Sequence, residues 1–407
     1  MADFYQGGAI TTLHRLGNRD PARLEEELSR HARSRPIALV LPCLQSEIHG
    51  PGLKGIVDIL RGVRYLRQIV VSVSGSSDRG EYEEMRAFFK GVETTEGEPP
   101  TLLWNSGARV QALYGRLRDE GLDLGPGGKG LATWLGFGYV LAADEARVIA
   151  VHDCDIRTYS RELLARLCYP TVHPNLDYEF AKGYYGRVAD RLYGRATRLF
   201  VTPLLRAMKA VLGQHPLLDY LDAFRYPLAG EVSMKTDLAR INRIPSDWGL
   251  EIGTLVEVYR NCSQKRICQV ELTENYDHRH QELSEDDPTA GLHRMVVDIA
   301  SSAIRNLASY GVEFDAGFLN TLTAAYRRLA QDAIAAYSDD AALNGLIFDR
   351  HEEERAVETF TQGLRAAGLG FVRDPLGVPQ IPNWSRVNAA APDFLGELRD
   401  AVNADAE

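Results

Sequence analysis

The chain has 407 residues, 45% apolar and 25% charged, an ordinary globular composition that is long for a single core and predicts two domains or one with a large appendage. A net charge of −10 argues against nucleic acid as a partner, because binding a phosphate backbone wants a basic surface. No apolar run approaches the roughly 20 residues of a membrane span, no basic-then-apolar leader is read, and five cysteines without a C-x-x-C pair suit a reducing cytoplasm.

Residues 1–35 are expected to form an N-terminal helical segment. "PIALVLPCL" (36–44) is an apolar run closed by proline and polar residues, a buried strand. "GLKGIVDILRGVRYL" follows with helical spacing at Leu53, Ile56, Val57 and Leu60. "RQIVVSVSGSSDRG" is a second strand ended by a turn cluster, and "GEYEEMRAFFKGV" a helix with acids in its first turn. "PTLLWNSG" and "RVQALYGRLRDEGL" repeat the pair. After "GPGGKG" come the apolar helix "LATWLGFGYVLAADEA" and the strand "RVIAVHD". About four strand–helix cycles predict an α/β domain over 36–287 with a mainly parallel sheet flanked by helices, whose ligands sit at the strands' carboxyl ends.

Between 156 and 287 the reading rests on motifs rather than periodicity. From 288 the helix period returns in "GLHRMVVDIASSAIRNLASYGV", "FLNTLTAAYRRLAQDAIAAY" and "ERAVETFTQGLRAAGL". Residues 288–407 are read as a helical C-terminal extension with a Pro-rich tail. Its apolar faces fit a homodimer or packing on the catalytic domain equally well.

The strand "VIAV" ends in "HDCD". In extended backbone Asp153 and Asp155 face the same side, where two carboxylates repel. A divalent cation such as Mg²⁺ or Mn²⁺ removes that conflict; two solvated acids at a strand end are the alternative. "GPGGKG" matches G-x-G-x-x-G but follows no strand, so only Lys129 is retained, as a cation for a pyrophosphate or as a turn lysine. "RLYGRATR" (191–198) reads as an anion cradle or a charged helix face. "YDHRHQ" (276–281) offers His278 and His280 as metal or polar ligands. "PLAGE" and "SDWGLEIG" place acids beside glycines, where backbone comes close to something.

In this order the motifs resemble those of GT-A nucleotide-sugar glycosyltransferases, and more narrowly the retaining glucosyl-3-phosphoglycerate synthases, with mannosyl-3-phosphoglycerate synthases close by. The resemblance covers residues 36–281. "PCLQSE" stands where that family has Pro-Ala-Leu-Asn-Glu-Glu, which implies Pro42, Leu44 and Glu47 as donor contacts. "SGSSD" implies Ser74, Gly-Lys-Gly implies Lys129, and the Asp-x-Asp implies a donor contact at Asp153 and a metal ligand at Asp155. Gly194, Arg195 and Thr197 match the acceptor loop. "DHRH" implies His278 as the second metal ligand and puts His280 where the family has an acceptor-contacting asparagine. Glu231 is the acid singled out as nucleophile or sugar anchor, beside Asp155 and Lys129 as catalytic residues. The activity so implied is transfer of glucose from UDP- or GDP-glucose to 3-phosphoglycerate with Mg²⁺ or Mn²⁺. A GDP-mannose enzyme is the near rival. A nucleotidyltransferase is the distant one, and it lacks its N-terminal triphosphate loop here.

Overall fold

The computed structural model describes residues 6, 8–17, 20–278, 283–285, 287 and 289–406. Eight strands form one sheet: β1 (Thr11–Leu13), β2 (Ile37–Leu44), β3 (Leu66–Ser74), β4 (Thr101–Trp104), β5 (Val148–Val151), β6 (Phe180–Tyr185), β7 (Val232–Lys235) and β8 (Ile267–Thr273). Their order is β1-β8-β6-β7-β5-β2-β3-β4. Every pairing is parallel except those of β7 with β5 and β6. From β2 the chain winds outward to β4, then returns to place β5 on the other side of β2. That reversal opens a crevice at the carboxyl ends of β2 and β5, where a sheet of this kind takes its ligand.

Burial on both faces explains why β2 reads as a continuous apolar run. Ile37, Leu39 and Leu41 enter one core, and Ala38 and Val40 the other. Helices Pro21–His31, Pro51–Leu60, Arg79–Phe88 and Arg161–Val172 cover the first face. Helices Ala108–Asp119, Lys129–Ala143, Thr202–Leu212 and Leu250–Asn261 cover the second.

The first 35 residues contain the expected helix and also β1, which periodicity did not reveal. Three residues are too short to alternate legibly. β1 is held by its pairing with β8 and by the Gln6 carboxamide, which bonds both backbone groups of Thr12.

Past residue 288 the helices are Gly291–Ala308, Ala316–Asn344 and Arg350–Arg373, and the tail adds Trp384–Ala390 and Phe394–Ala406. Their apolar faces join the second-face core instead of standing free. The tail latches onto helix Lys129–Ala143. Trp384 stacks on Trp134 at 4.0 Å between ring centroids, and the Trp134 indole N–H donates to Pro382 O at 2.8 Å. Among the described residues no helix is long and apolar enough to cross a membrane.

Gly138 makes the latch possible: a Cβ there would lie 2.1 Å from the Trp384 ring. Gly138→Ala should therefore destabilise the protein by about 1–3 kcal/mol through overpacking, although alanine is the better helix former by about 1 kcal/mol. Denaturant unfolding measures this; an unchanged midpoint would mean the tail is not packed there.

Candidate active site

The crevice between β2 and β5 opens into a cavity of about 560 Å³, within the range of small-molecule sites. Of the residues singled out in the sequence, Pro42, Leu44, Glu47, Ser74, Lys129, Asp153, Asp155, Gly194, Arg195 and His278 line it. Glu231 and Thr197 are buried and are not part of its wall. His280 lies outside the described residues.

The two aspartates leave the end of β5 with different partners. Lys129 Nζ lies 2.6 Å from Asp153 Oδ1 and 3.1 Å from Glu251 Oε1. Gly125, Gly127 and Gly128 all have positive φ, and this left-handed run delivers Lys129 as the first residue of its helix. Burial alone would raise the Asp153 carboxyl, but Lys129 outweighs it and holds the group below its ordinary value. Burial likewise opposes the charge on Lys129, and Asp153 with Glu251 outweighs it in turn.

Asp155 faces elsewhere. Its Oδ2 lies 3.5 Å from His278 Nδ1, and its Oδ1 is buried with no hydrogen-bond partner. A buried bare carboxylate oxygen is costly, and a cation beside it removes that cost. Among the described residues no cluster of three or more His, Cys, Asp or Glu side chains can hold a metal ion alone. One carboxylate and one imidazole suit Mg²⁺ or Mn²⁺ that keeps waters and takes phosphate oxygens, so the donor set fits the expected ion.

His152 orients the turn. Its Nδ1 lies 2.9 Å from Asp153 O, which can only accept, so Nδ1 carries the proton and Nε2 accepts from the Tyr159 hydroxyl at 2.8 Å. Burial pushes its pKa down to about 4, which keeps the ring neutral beneath the aspartates.

Behind the cavity wall stands Glu231. The antiparallel β7 brings its first residues, not its last, to the carboxyl edge of the sheet, so Gly230 and Glu231 arrive there just before β7 begins. A Cβ on Gly230 would lie 2.7 Å from Asp153 Oδ2, so only glycine lets this chain pass. Glu231 is fully buried and accepts from the Tyr185 hydroxyl at 2.8 Å and from the Tyr276 hydroxyl. The two tyrosine rings stack at 3.7 Å. Burial and the Asp153 charge raise the Glu231 carboxyl, while the tyrosines oppose that rise. Lys182, also buried, donates to Ala229 O at 2.6 Å in the same layer, and burial lowers its pKa to about 8.

On the opposite wall Gly194 adopts φ +76° and starts a π-helical turn, Ala196–Val201. Arg195 Nε lies 2.8 Å from Glu353 Oε1, and its Nη2 2.9 Å from Glu352 Oε1. Arg198 turns inward to Glu353 Oε2 at 3.0 Å and to the carbonyls of Leu192 and Tyr193. Arg187 and Arg191 complete a basic rim. The Thr197 hydroxyl is buried without a partner, and the Thr197 backbone N–H donates to Gly194 O at 3.0 Å.

Sequence reasoning missed Glu251, Tyr185, Tyr276, Lys182 and Arg187. Glu251 stood in a segment already noted for acids beside glycines. Tyr276 opens the segment noted for its histidines without being chosen itself, and nothing local marks Tyr185, Lys182 and Arg187, which lie on or just past β6 and meet their partners in distant chain.

No family model matches the chain. It is 45% identical to the glucosyl-3-phosphoglycerate synthase of Persephonella marina, over 100% of this chain and 99% of that one. It is 39% identical to the synthase of Methanococcoides burtonii, over 99% and 98%. Its fold matches that of the Mycobacterium tuberculosis synthase, solved with Mn²⁺, UDP-glucose and phosphoglyceric acid, with a TM-score of 0.53 at 23% identity over 75% of this chain and 88% of that chain. The switch-point cleft, the Asp-x-Asp turn and these likenesses define a hexosyltransferase of the GT-A fold. Full-length identity carries the assignment further: the chain belongs to the glucosyl-3-phosphoglycerate synthase family.

Tyr276→Phe strips a donor from a buried carboxylate and should cost about 1–3 kcal/mol of stability. Thermal unfolding tests this. A variant as stable as the parent would show that Glu231 does not depend on Tyr276.

Proposed function

We propose that the protein transfers glucose from UDP-glucose to the 2-hydroxyl of D-3-phosphoglycerate, with retention at the sugar carbon and release of UDP. The observation that carries this reading is one cavity with a carboxylate–imidazole pair on one wall and a basic loop on the other. Mg²⁺ or Mn²⁺ held by Asp155 and His278 would supply charge neutralisation to a diphosphate leaving group.

Lys129 adds a fixed ammonium beside the same group, already oriented by Asp153 and Glu251, so it needs little reorganisation as charge develops. Pro42, Leu44, Glu47 and Ser74, at the ends of β2 and β3, form the nucleoside side of the cleft. Arg195 grips the acceptor's phosphate or carboxylate, and the neighbouring backbone of Gly194 and Thr197 fixes the loop. Glu231 acts from behind the wall as a positioning residue: a fully buried carboxylate held by two tyrosine hydroxyls has no open approach to the sugar. Attack on the departing face therefore accounts for retention better than a glycosyl–carboxylate intermediate. Five free cysteines, all buried, support a reducing cytoplasm as its place of work.

Incubation with Mg²⁺, 3-phosphoglycerate and each of UDP-glucose, GDP-glucose and GDP-mannose, read by mass spectrometry, should give hexosylated product chiefly from UDP-glucose. Product from GDP-mannose alone would overturn the donor reading. Asp155→Ala should lower the metal-dependent rate by roughly 100-fold or more, and an unchanged rate would remove Asp155 from the site. Arg195→Ala should raise the acceptor KM at least about tenfold with little change for the donor; equal shifts would refute the acceptor role.

A further inference from the structure

The C-terminal extension places a carboxylate inside the acceptor half of the cavity, and it does so on the arginine that the acceptor needs. Asp349 caps helix Arg350–Arg373 by accepting from Glu352 N at 3.0 Å, which fixes Glu352 and Glu353 in its first turn. The two neighbours behave differently. Glu353 is buried, 5% exposed, and bridges Arg195 and Arg198 with its two oxygens. Glu352 is 42% exposed, lines the cavity, and reaches Arg195 Nη2 at 2.9 Å.

We propose that Glu352 is a specificity-determining residue that occupies the anion seat on Arg195 and must be displaced by the acceptor. This rests on the reading of Arg195 as the acceptor's anchor. The chemistry follows from charge. Glu353 satisfies the inner edge of the guanidinium and stays. Glu352 offers the outer edge one charge-assisted hydrogen bond, half in solvent, so its hold is weak and reversible. An incoming carboxylate or phosphate cannot share that edge with Glu352, because two like charges in contact repel. An acceptor carrying both a phosphate and a carboxylate has anionic groups enough to evict Glu352 and still engage the basic rim of Arg187 and Arg191. An acceptor with one anionic group gains less and meets the same repulsion. The carboxylate therefore selects for highly charged acceptors by penalising weakly charged ones.

The test compares Glu352→Gln, Glu352→Asp and Arg195→Ala in the full-length protein, with UDP-glucose as donor and either 3-phosphoglycerate or D-glycerate as acceptor. Glu352→Gln should lower the 3-phosphoglycerate KM at least about threefold relative to the donor KM, the effect of one charge-assisted hydrogen bond no longer displaced. It should raise kcat/KM for D-glycerate by a larger factor than for 3-phosphoglycerate. Glu352→Asp should return part of the discrimination. A merely structural Glu352 would lower the melting temperature and shift donor and acceptor parameters together. An acceptor KM that is unchanged or raised in a folded Glu352→Gln protein would overturn the proposal. Arg195→Ala keeps the two failures apart: no effect on acceptor KM there would refute the acceptor-site reading itself, whereas a large effect with a silent Glu352→Gln refutes only the displacement.

Discussion

The ion pair between Lys129 and Asp153 is the contact on which the cleft depends. Two aspartates one residue apart repel, and separate partners relieve that conflict. The chain meets this by sending Asp153 to a lysine from a glycine-rich loop and leaving Asp155 to His278. The lysine also fixes Glu251, so helices Lys129–Ala143 and Leu250–Asn261 meet at one charge. With Asp153 paired to Lys129, Asp155 keeps one buried oxygen that has no hydrogen-bond partner. The strand end is thus a divided pair, each carboxylate with its own partner.

Much of this was legible in the sequence, and the boundary of legibility has physical causes. The run 36–155 announces itself because parallel strands buried on both faces are continuously apolar and their helices are amphipathic. The Asp-x-Asp, the glycine–lysine loop and the arginine loop were visible because their chemistry needs fixed residue types at short spacing. β7 was not visible: four residues inserted antiparallel between β5 and β6 carry no pattern of their own. The sequence shows Glu231 as an acid beside a glycine but not Tyr185 and Tyr276, which close over it from two other strands' ends. The tail looked like a proline-rich coil because Trp384 gains its meaning only against Trp134, 250 residues earlier.

The buried polar layer under the cleft follows from that topology. β7 runs against its neighbours, so its leading residues share the ligand edge with the trailing residues of β5, β6 and β8. Lys182, Glu231, Tyr185 and Tyr276 meet there with their hydrogen bonds largely satisfied internally. A layer of this kind is stable only when its geometry is kept, and so it holds Gly230 against Asp153 with little freedom.

The extension acts on both walls. On one side, Trp384 and Pro382 brace the helix that begins with Lys129. On the other, Glu353 clamps Arg195 and Arg198, and the Tyr326 hydroxyl holds the π-helical turn by bonding Leu199 O at 2.9 Å. These contacts come from helices that pack together in one apolar core. A shift of that core would therefore move the arginine loop and the lysine helix together, which makes the extension part of the cleft's geometry instead of an appendage to it. An acid in the first turn of helix Arg350–Arg373 consequently stands in the cavity wall on Arg195.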